Sequence, residues 1–99
     1  MAHLHAIVQG TVQGVGFRAY AQVHALMLDL VGWVKNLPDG TVETQAIGSQ
    51  AALEAYLDRL RRGPTGATVR DVTFTITQDD PPAVADLPYP FQIRYHSTT

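Results

Sequence analysis

Three glycines and an arginine stand close together in the segment GTVQGVGFRAY, residues 10–20. Glycines let successive backbone N–H groups converge on one point, which makes an anion-binding nest where a helix begins. Arg18 falls in the first turn of a predicted helix, where its guanidinium can grip two oxygens of a phosphate. The segment therefore predicts a phosphate-binding loop formed by Gln13, Gly14, Val15, Gly16, Phe17 and Arg18.

Three other interpretations of this loop compete with an anion nest. A P-loop requires Lys-Ser or Lys-Thr after its last glycine, and neither pair follows Gly16. Residues 14–19 match the Gly-x-Gly-x-x-Ala dinucleotide fingerprint, but Val34 stands where an acidic residue would hold the ribose. A tight turn with Arg18 as a solvated charge is the third alternative.

Asn36 ends the next predicted strand, directly before the turn sequence LPDG at residues 37–40. If the first two strands are parallel with one strand between them, their C-terminal ends share an edge and lie roughly 10 Å apart. A phosphate held by the loop then leaves space for one water in front of the Asn36 side chain. The alternative interpretation is a turn residue that leads into the hairpin.

Hydrophobic periodicity and turn residues predict the elements that must position these side chains. One helix is predicted over Phe17–Leu30 and a second between an N-cap at Ser49 and a stop at Gly63. Strands are predicted at His3–Val8, Gly32–Asn36, Thr41–Ile47, Val72–Thr77 and Phe91–Tyr95, and a loop at residues 79–88. The predicted core positions are Phe17, Ala21, Ala25 and Leu28 in the first helix, Leu53, Tyr56, Leu57 and Leu60 in the second, and Val72, Phe74 and Ile76 on the fourth strand.

The order strand-helix-strand-strand-helix-strand, with a short C-terminal strand added, predicts an α+β fold. Right-handed crossovers place both helices on one face of a mainly antiparallel sheet, which is the ferredoxin-like split βαβ sandwich. Ninety-nine residues without a repeat or linker predict a single domain over residues 1–99.

Composition and charge exclude several classes of function. A net charge of −2 and a pI of about 6.0 give no electrostatic case for a nucleic-acid partner. RNA-recognition modules of this topology need exposed aromatics on the central strands, and neither His3–Val8 nor Thr41–Ile47 contains one. No apolar run approaches the ~20 residues that span a bilayer, so no membrane association is expected. The absence of cysteine and of a signal-peptide pattern predicts a cytoplasmic protein.

No metal or other cofactor is predicted. His3 and His5 point to one side of a strand, but no third ligand accompanies them. The two motifs contain no His, Glu or Cys that could act as base or nucleophile, and Asp39 is explained by the turn. A reaction here would rest on positioning and on neutralising phosphoryl charge, with a phosphoryl oxygen as the hypothesised proton acceptor.

The segments GTVQGVGFR at 10–18 and GWVKNLPDG at 32–40 closely resemble the two signatures of the acylphosphatase family. The resemblance covers nearly the whole chain, including RRGP at 61–64 and the C-terminal Phe-x-Ile-Arg. It implies the same sandwich fold and the hydrolysis of acyl phosphates, which are carboxyl-phosphate mixed anhydrides, to carboxylate and phosphate. By motif position, it implies that Arg18 binds the phosphoryl group with the loop amides and that Asn36 orients the attacking water.

The expected partners are small molecules. The resemblance implies an acyl phosphate substrate. The glycine nest at the start of the first helix predicts inorganic phosphate or sulfate as a competing ligand. A non-catalytic phosphate-binding module on the same fold is the alternative, and the presence of Asn36 favours the enzyme. A monomer is expected, with weak self-association through an apolar patch of Val23, Leu26 and Met27 on the first helix.

Overall fold

The computed structural model describes residues 1–78 and 90–95. Its elements follow the predicted order, with β5 added after β4. They are β1 (Ala2–Thr11), α1 (Phe17–Met27), β2 (Val31–Asn36), β3 (Val42–Gly48), α2 (Gln50–Arg62), β4 (Thr68–Thr77) and β5 (Gln92–Arg94). The loop predicted at residues 79–88 lies outside the described residues.

The five strands form one sheet in the order β4-β1-β3-β2-β5. Because β3 is antiparallel to both β1 and β2, those two strands are parallel with one strand between them, as predicted. β4 is antiparallel to β1, and β5 is parallel to β2. Both helices pack on one face of this sheet, which confirms the ferredoxin-like α+β fold. The C-terminal ends of β1, β2 and β5 consequently lie at the same edge.

Helix α1 ends earlier than the predicted Leu30, at Met27. Asp29 adopts a left-handed conformation with φ of 57°, which asparagine and aspartate tolerate better than most residues. The Leu30 N–H then donates to the Ala25 oxygen at 2.9 Å, which is the Schellman arrangement at a helix C-terminus. Leu30 and Ala25 are both buried, so this helix end is fixed by packing as well as by hydrogen bonds.

Helix α2 matches its prediction closely. The Ser49 Oγ accepts a hydrogen bond from the Ala52 N–H at 3.1 Å, and Gly63 follows the last helical residue. Its buried positions are the predicted set of Leu53, Tyr56, Leu57 and Leu60.

The Tyr56 hydroxyl carries a polar group from α2 into the core. It lies 2.7 Å from the Thr44 Oγ1, which itself donates to the Trp33 carbonyl oxygen at 2.8 Å. Complete burial raises the pKa of Tyr56 well above its ordinary value, so the phenol stays neutral. Because the Thr44 hydroxyl donates to Trp33, the Tyr56 hydroxyl is the donor to Thr44. This chain of bonds joins α2 to β3 and β2 without an unpaired polar atom.

Strand β1 runs beyond the predicted Val8 as far as Thr11, so Gly10 belongs to the strand rather than to the loop. The register with β4 shifts between Gln9 and Gly10, which marks a β-bulge. Gly10 has φ of 134°, and a Cβ placed on it would lie 2.1 Å from the Thr68 oxygen. The close approach of β4 therefore requires glycine at this position, and Gly10 does not line the cavity described below.

The prediction of one buried face on β4 is wrong at Phe74. Val72 and Ile76 are half-buried, but the Phe74 side chain is 38% exposed. β4 lies at the edge of the sheet, where the helix layer covers it incompletely. The Arg61 Cζ of α2 lies 5.4 Å from the Phe74 ring centroid and supplies part of the missing cover.

β1 and β3 lie inside the sheet as predicted, and neither contains an aromatic residue. The absence of a nucleic-acid partner stays a prediction. His3 and His5, which the sequence places on one side of β1, each form a hydrogen bond with a side chain of β3. The His3 Nε2 lies 3.0 Å from the Gln45 Oε1, and the His5 Nε2 lies 2.7 Å from the Glu43 Oε2.

The apolar patch on α1 is exposed as the sequence predicts, with exposed fractions of 52% for Val23, 43% for Leu26 and 73% for Met27. Self-association through this patch stays a prediction.

Within residues 1–78 and 90–95, no helix is both long enough and apolar enough to span a bilayer.

Candidate active site

A cavity of about 250 Å³ opens at the edge of the sheet where β1, β2 and β5 end. The loop after β1, the first turn of α1 and the ends of β2 and β5 all contribute to its walls. The structure thus places Arg18 and Asn36 on the walls of one cavity. The lining residues are Val12, Gly14, Gly16, Phe17, Arg18, Ala19, Asn36, Ile93 and Tyr95.

Two glycines shape the loop that forms the floor of this cavity. Gly14 and Gly16 have φ values of 76° and 78°, in the left-handed region that most residues avoid. A Cβ added at either position would meet no atom within 4 Å. Glycine is therefore favoured here by the backbone conformation and not by crowding. Left-handed residues in short succession are typical of an anion nest.

The N-terminus of α1 has no side-chain cap. Gly16 is its N-cap residue, and no acidic residue stands in the first turn. The N-terminus of α2 differs, because the Ser49 Oγ accepts one of its orphan amides. The first-turn N–H groups of α1 therefore lack a side-chain acceptor among the described residues, and the helix dipole adds positive potential there. This end of α1 suits a bound anion.

Gln13 and Val15, two of the predicted loop contacts, do not line the cavity. Val15 packs against the core. The Gln13 Nε2 donates to the Leu37 oxygen at 2.7 Å and to the Thr41 oxygen at 2.8 Å. Leu37 directly follows Asn36, so the Gln13 side chain ties the loop before α1 to the turn that begins after Asn36.

We expect Gln13→Ala to lower the free energy of unfolding by about 1–2 kcal/mol, because two hydrogen bonds between the loop and the turn are lost. Urea denaturation of both proteins measures the difference. Gln22→Ala is the matched control, since the Gln22 Nε2 makes one longer bond, 3.3 Å, to the Phe91 oxygen. An equal loss of stability in both variants contradicts a special role for Gln13.

The turn after Asn36 is held by Asp39. Its Oδ1 accepts from the Thr41 Oγ1 at 2.6 Å and from the Thr41 N–H at 3.0 Å. The bond from the Thr41 hydroxyl, followed by the bond from its amide, lowers the pKa of Asp39 below its ordinary value. Asp39 does not line the cavity, so the structure assigns it to the turn, as the sequence predicts.

Ile93 and Tyr95 belong to the cavity, and the sequence analysis missed both. Val34 of β2 pairs with Ile93 of β5, so Asn36 and Tyr95, two residues further along, fall on the same face. The alternation of Phe91, Ile93 and Tyr95 predicts the strand. It does not say beside which strand β5 lies.

No histidine, carboxylate or cysteine among the described residues lines the cavity. In the same part of the chain, no three side chains of His, Asp or Glu cluster closely enough to hold a metal ion. What the cavity offers is a guanidinium, a carboxamide, the Tyr95 hydroxyl, helix N–H groups and apolar walls. Such a set can bind an anion and orient a water, but it includes no imidazole or carboxylate base.

Comparison with known proteins identifies the family of the chain. A family model described as Acylphosphatase matches residues 4–86, a range that contains the loop and Asn36. The acylphosphatase of Thermus thermophilus is 53% identical over 72 residues, which are 73% of this chain and 82% of that protein. The acylphosphatase of Nitratidesulfovibrio vulgaris (strain DP4) is 46% identical over 90 residues, 91% of this chain and 87% of that protein. The crystal structure of acylphosphatase from Bacillus subtilis, 36% identical, superposes with a TM-score of 0.85 over 96% of this chain and 100% of that one.

Proposed function

The chain belongs to the acylphosphatase family, and from this premise we propose that it hydrolyses acyl phosphates by direct attack of a water molecule, without a metal ion. The products are a carboxylate and inorganic phosphate. The observation that carries the mechanism is the cavity that Arg18, Asn36 and the uncapped start of α1 share.

The phosphoryl group binds at the start of α1. Its oxygens accept hydrogen bonds from N–H groups of the loop at residues 13–18 and from the Arg18 guanidinium. The left-handed conformations of Gly14 and Gly16 and the missing side-chain cap support this placement. Charge that develops on the equatorial oxygens is neutralised by donors already in place.

Asn36 orients the attacking water. Its carboxamide has an oxygen that accepts and an NH₂ group that donates, so it can fix both the position and the direction of a water. β1 and β2 are separated by one strand, about 10 Å between them. That spacing leaves room for a phosphoryl group on the loop side and one water on the Asn36 side.

The bond changes balance without a base or acid from the protein. The water oxygen forms a bond to phosphorus while the bond between phosphorus and the acyl oxygen breaks, and the carboxylate leaves with the electron pair. A carboxylate is a good leaving group and needs no protonation. One proton of the water passes to a phosphoryl oxygen of the substrate and the other stays on the new phosphate hydroxyl, since the described lining residues include no histidine or carboxylate to take a proton.

Metal independence rests on the donor set of the cavity. A divalent cation that neutralises phosphoryl charge is held mainly by carboxylates, and the described lining residues include none. Arg18 and the helix N–H groups supply the positive potential instead.

The absence of cysteine from the chain supports the proposed cytoplasmic location.

Release of phosphate from a simple aromatic acyl phosphate, benzoyl phosphate, tests the proposal directly. We expect turnover in the presence of a chelator at the rate seen without it. Phosphate binding without turnover would favour the non-catalytic module, and turnover abolished by the chelator would contradict the metal-free mechanism.

We further expect inorganic phosphate and sulfate to inhibit competitively, because both anions occupy the position of the phosphoryl group. Initial rates at several substrate concentrations measure the pattern. In amide spectra, the anion should perturb residues 14–18 more than the rest of the chain. Noncompetitive inhibition, or an anion bound away from this loop, contradicts the placement.

A further inference from the structure

An aromatic ring lies against Arg18 at the mouth of the cavity. The Arg18 Cζ is 4.8 Å from the centroid of the Tyr95 ring, and both residues line the same cavity. The Tyr95 side chain is 75% exposed, so packing in the core does not account for its position. Among the described residues, its ring lies beside the arginine of the site, which points to a role in that site.

The backbone explains how Tyr95 reaches Arg18. β5 joins the sheet beside β2 in parallel, with Lys35 opposite Arg94. Tyr95 therefore leaves the sheet at the same edge as Asn36, where α1 begins. The ring comes from β5 and the guanidinium from α1, so the contact joins two elements that are far apart in the sequence.

The distance of 4.8 Å between the Arg18 Cζ and the Tyr95 ring centroid fits a stacked pair. In such a pair the flat face of the guanidinium meets the ring, whereas its N–H bonds lie in the plane and point outwards. A guanidinium stacked in this way keeps its N–H groups available for two phosphoryl oxygens. The contact also restricts the rotamers of a long side chain that is half-buried at the surface.

We propose that Tyr95 is a positioning residue, whose ring holds the Arg18 guanidinium at the cavity before an anion binds. An arginine already in place loses less conformational freedom on binding, so its affinity for phosphate is higher. The consequence for turnover rests on the proposed function: the ring lowers KM for acyl phosphates, because Arg18 grips the phosphoryl group in the ground state. The ring performs this role, and the Tyr95 hydroxyl is not required.

The Arg18 Nε–Hε resonance tests the contact without any ligand. In ¹⁵N-labelled protein we assign this resonance by its loss in Arg18→Lys. The ring current of Tyr95 displaces it in the wild type; the displacement persists in Tyr95→Phe and disappears in Tyr95→Leu. An Arg18 resonance that is identical in the wild type and in Tyr95→Leu overturns the proposal.

Titration with inorganic phosphate measures the effect on binding. We expect the dissociation constant to rise about two- to fivefold in Tyr95→Leu, the range for a cation–π contact at an exposed site, and to stay near the wild-type value in Tyr95→Phe. KM for benzoyl phosphate rises by the same factor, while kcat changes less. An unchanged dissociation constant in Tyr95→Leu, or an equal loss in both variants, overturns the role of the ring.

Phe74→Leu is the matched control, because the Phe74 ring also faces an arginine but lies outside the cavity, on β4. It should leave phosphate affinity unchanged, and a loss as large as that of Tyr95→Leu overturns the proposal. The melting temperature of Tyr95→Leu should match the wild type, since the side chain is largely exposed. If the wild type binds phosphate but does not hydrolyse benzoyl phosphate, the proposed function is wrong. The role of Tyr95 is then still decided by the Arg18 resonance and the phosphate titration.

Discussion

Arg18→Ala is expected to lower kcat/KM by about 10²–10³-fold, the usual effect of removing one preorganised charge partner from a reacting oxygen. It should also weaken the binding of inorganic phosphate, because the guanidinium contacts the phosphoryl group in the ground state and in the transition state alike. Steady-state kinetics with benzoyl phosphate and a phosphate titration measure the two effects separately.

Arg18→Lys separates charge from geometry. Lysine keeps the positive charge but cannot present two parallel N–H groups, so we expect activity between those of the wild type and Arg18→Ala. Both variants should keep the wild-type melting temperature, because Arg18 is only half-buried and lies at the edge of the sheet. Phosphate affinity that survives Arg18→Ala unchanged would mean that the phosphoryl group binds elsewhere.

Local signals in the sequence were sufficient for most of the fold. Ser49 and Gly63 mark the two ends of α2. The spacing of its apolar residues predicts every residue of its buried face. The turn residues from Pro38 to Gly40 give the hairpin, and the alternation of the strands gives the sheet. These features depend on neighbours within a few residues, so no knowledge of the tertiary structure is needed to find them.

The errors arise where a residue depends on a distant segment. Gly10 resembles Gly14 and Gly16 in the sequence. Glycine is required there, however, because the backbone of Thr68 on another strand comes too close for a Cβ. Phe74 alternates as a buried residue would, but the periodicity of β4 cannot report that the strand lies at an edge of the sheet. In both cases the local pattern is real, and the tertiary environment decides its meaning.

The residues of the candidate site divide in the same way. Arg18 and Asn36 each stand in a local motif of the sequence, at the start of a helix and at the end of a strand respectively. The Gln13 side chain bonds to carbonyls 24 and 28 residues away, and no local pattern indicates those partners. Tyr95 enters the cavity only because β5 pairs with β2 rather than with β4. The residues proposed to do the chemistry were thus more predictable than those proposed to hold them in place.

Asn36 gives the sharpest separation between an enzyme and a binding module. If its carboxamide contacts only the water, Asn36→Ala should lower kcat by about 10²-fold or more, in line with the loss of one preorganised hydrogen-bonding group. Phosphate affinity should stay close to the wild-type value, because the loop and Arg18 are intact. A loss in kcat without a loss in ground-state binding marks an interaction made mainly on the way to the transition state.

The control for Asn36→Ala must disturb the same turn without touching the cavity, and Asp39→Ala does so. It removes the acceptor of both Thr41 hydrogen bonds, whereas Asp39 is absent from the cavity wall. We expect Asp39→Ala to retain most of the turnover, with melting temperatures measured beside the kinetics of both variants. If Asn36→Ala keeps wild-type turnover, or if Asp39→Ala loses as much, the water-orienting role of Asn36 is wrong. Phosphate binding without a positioned water would then describe a module that binds anions on this fold.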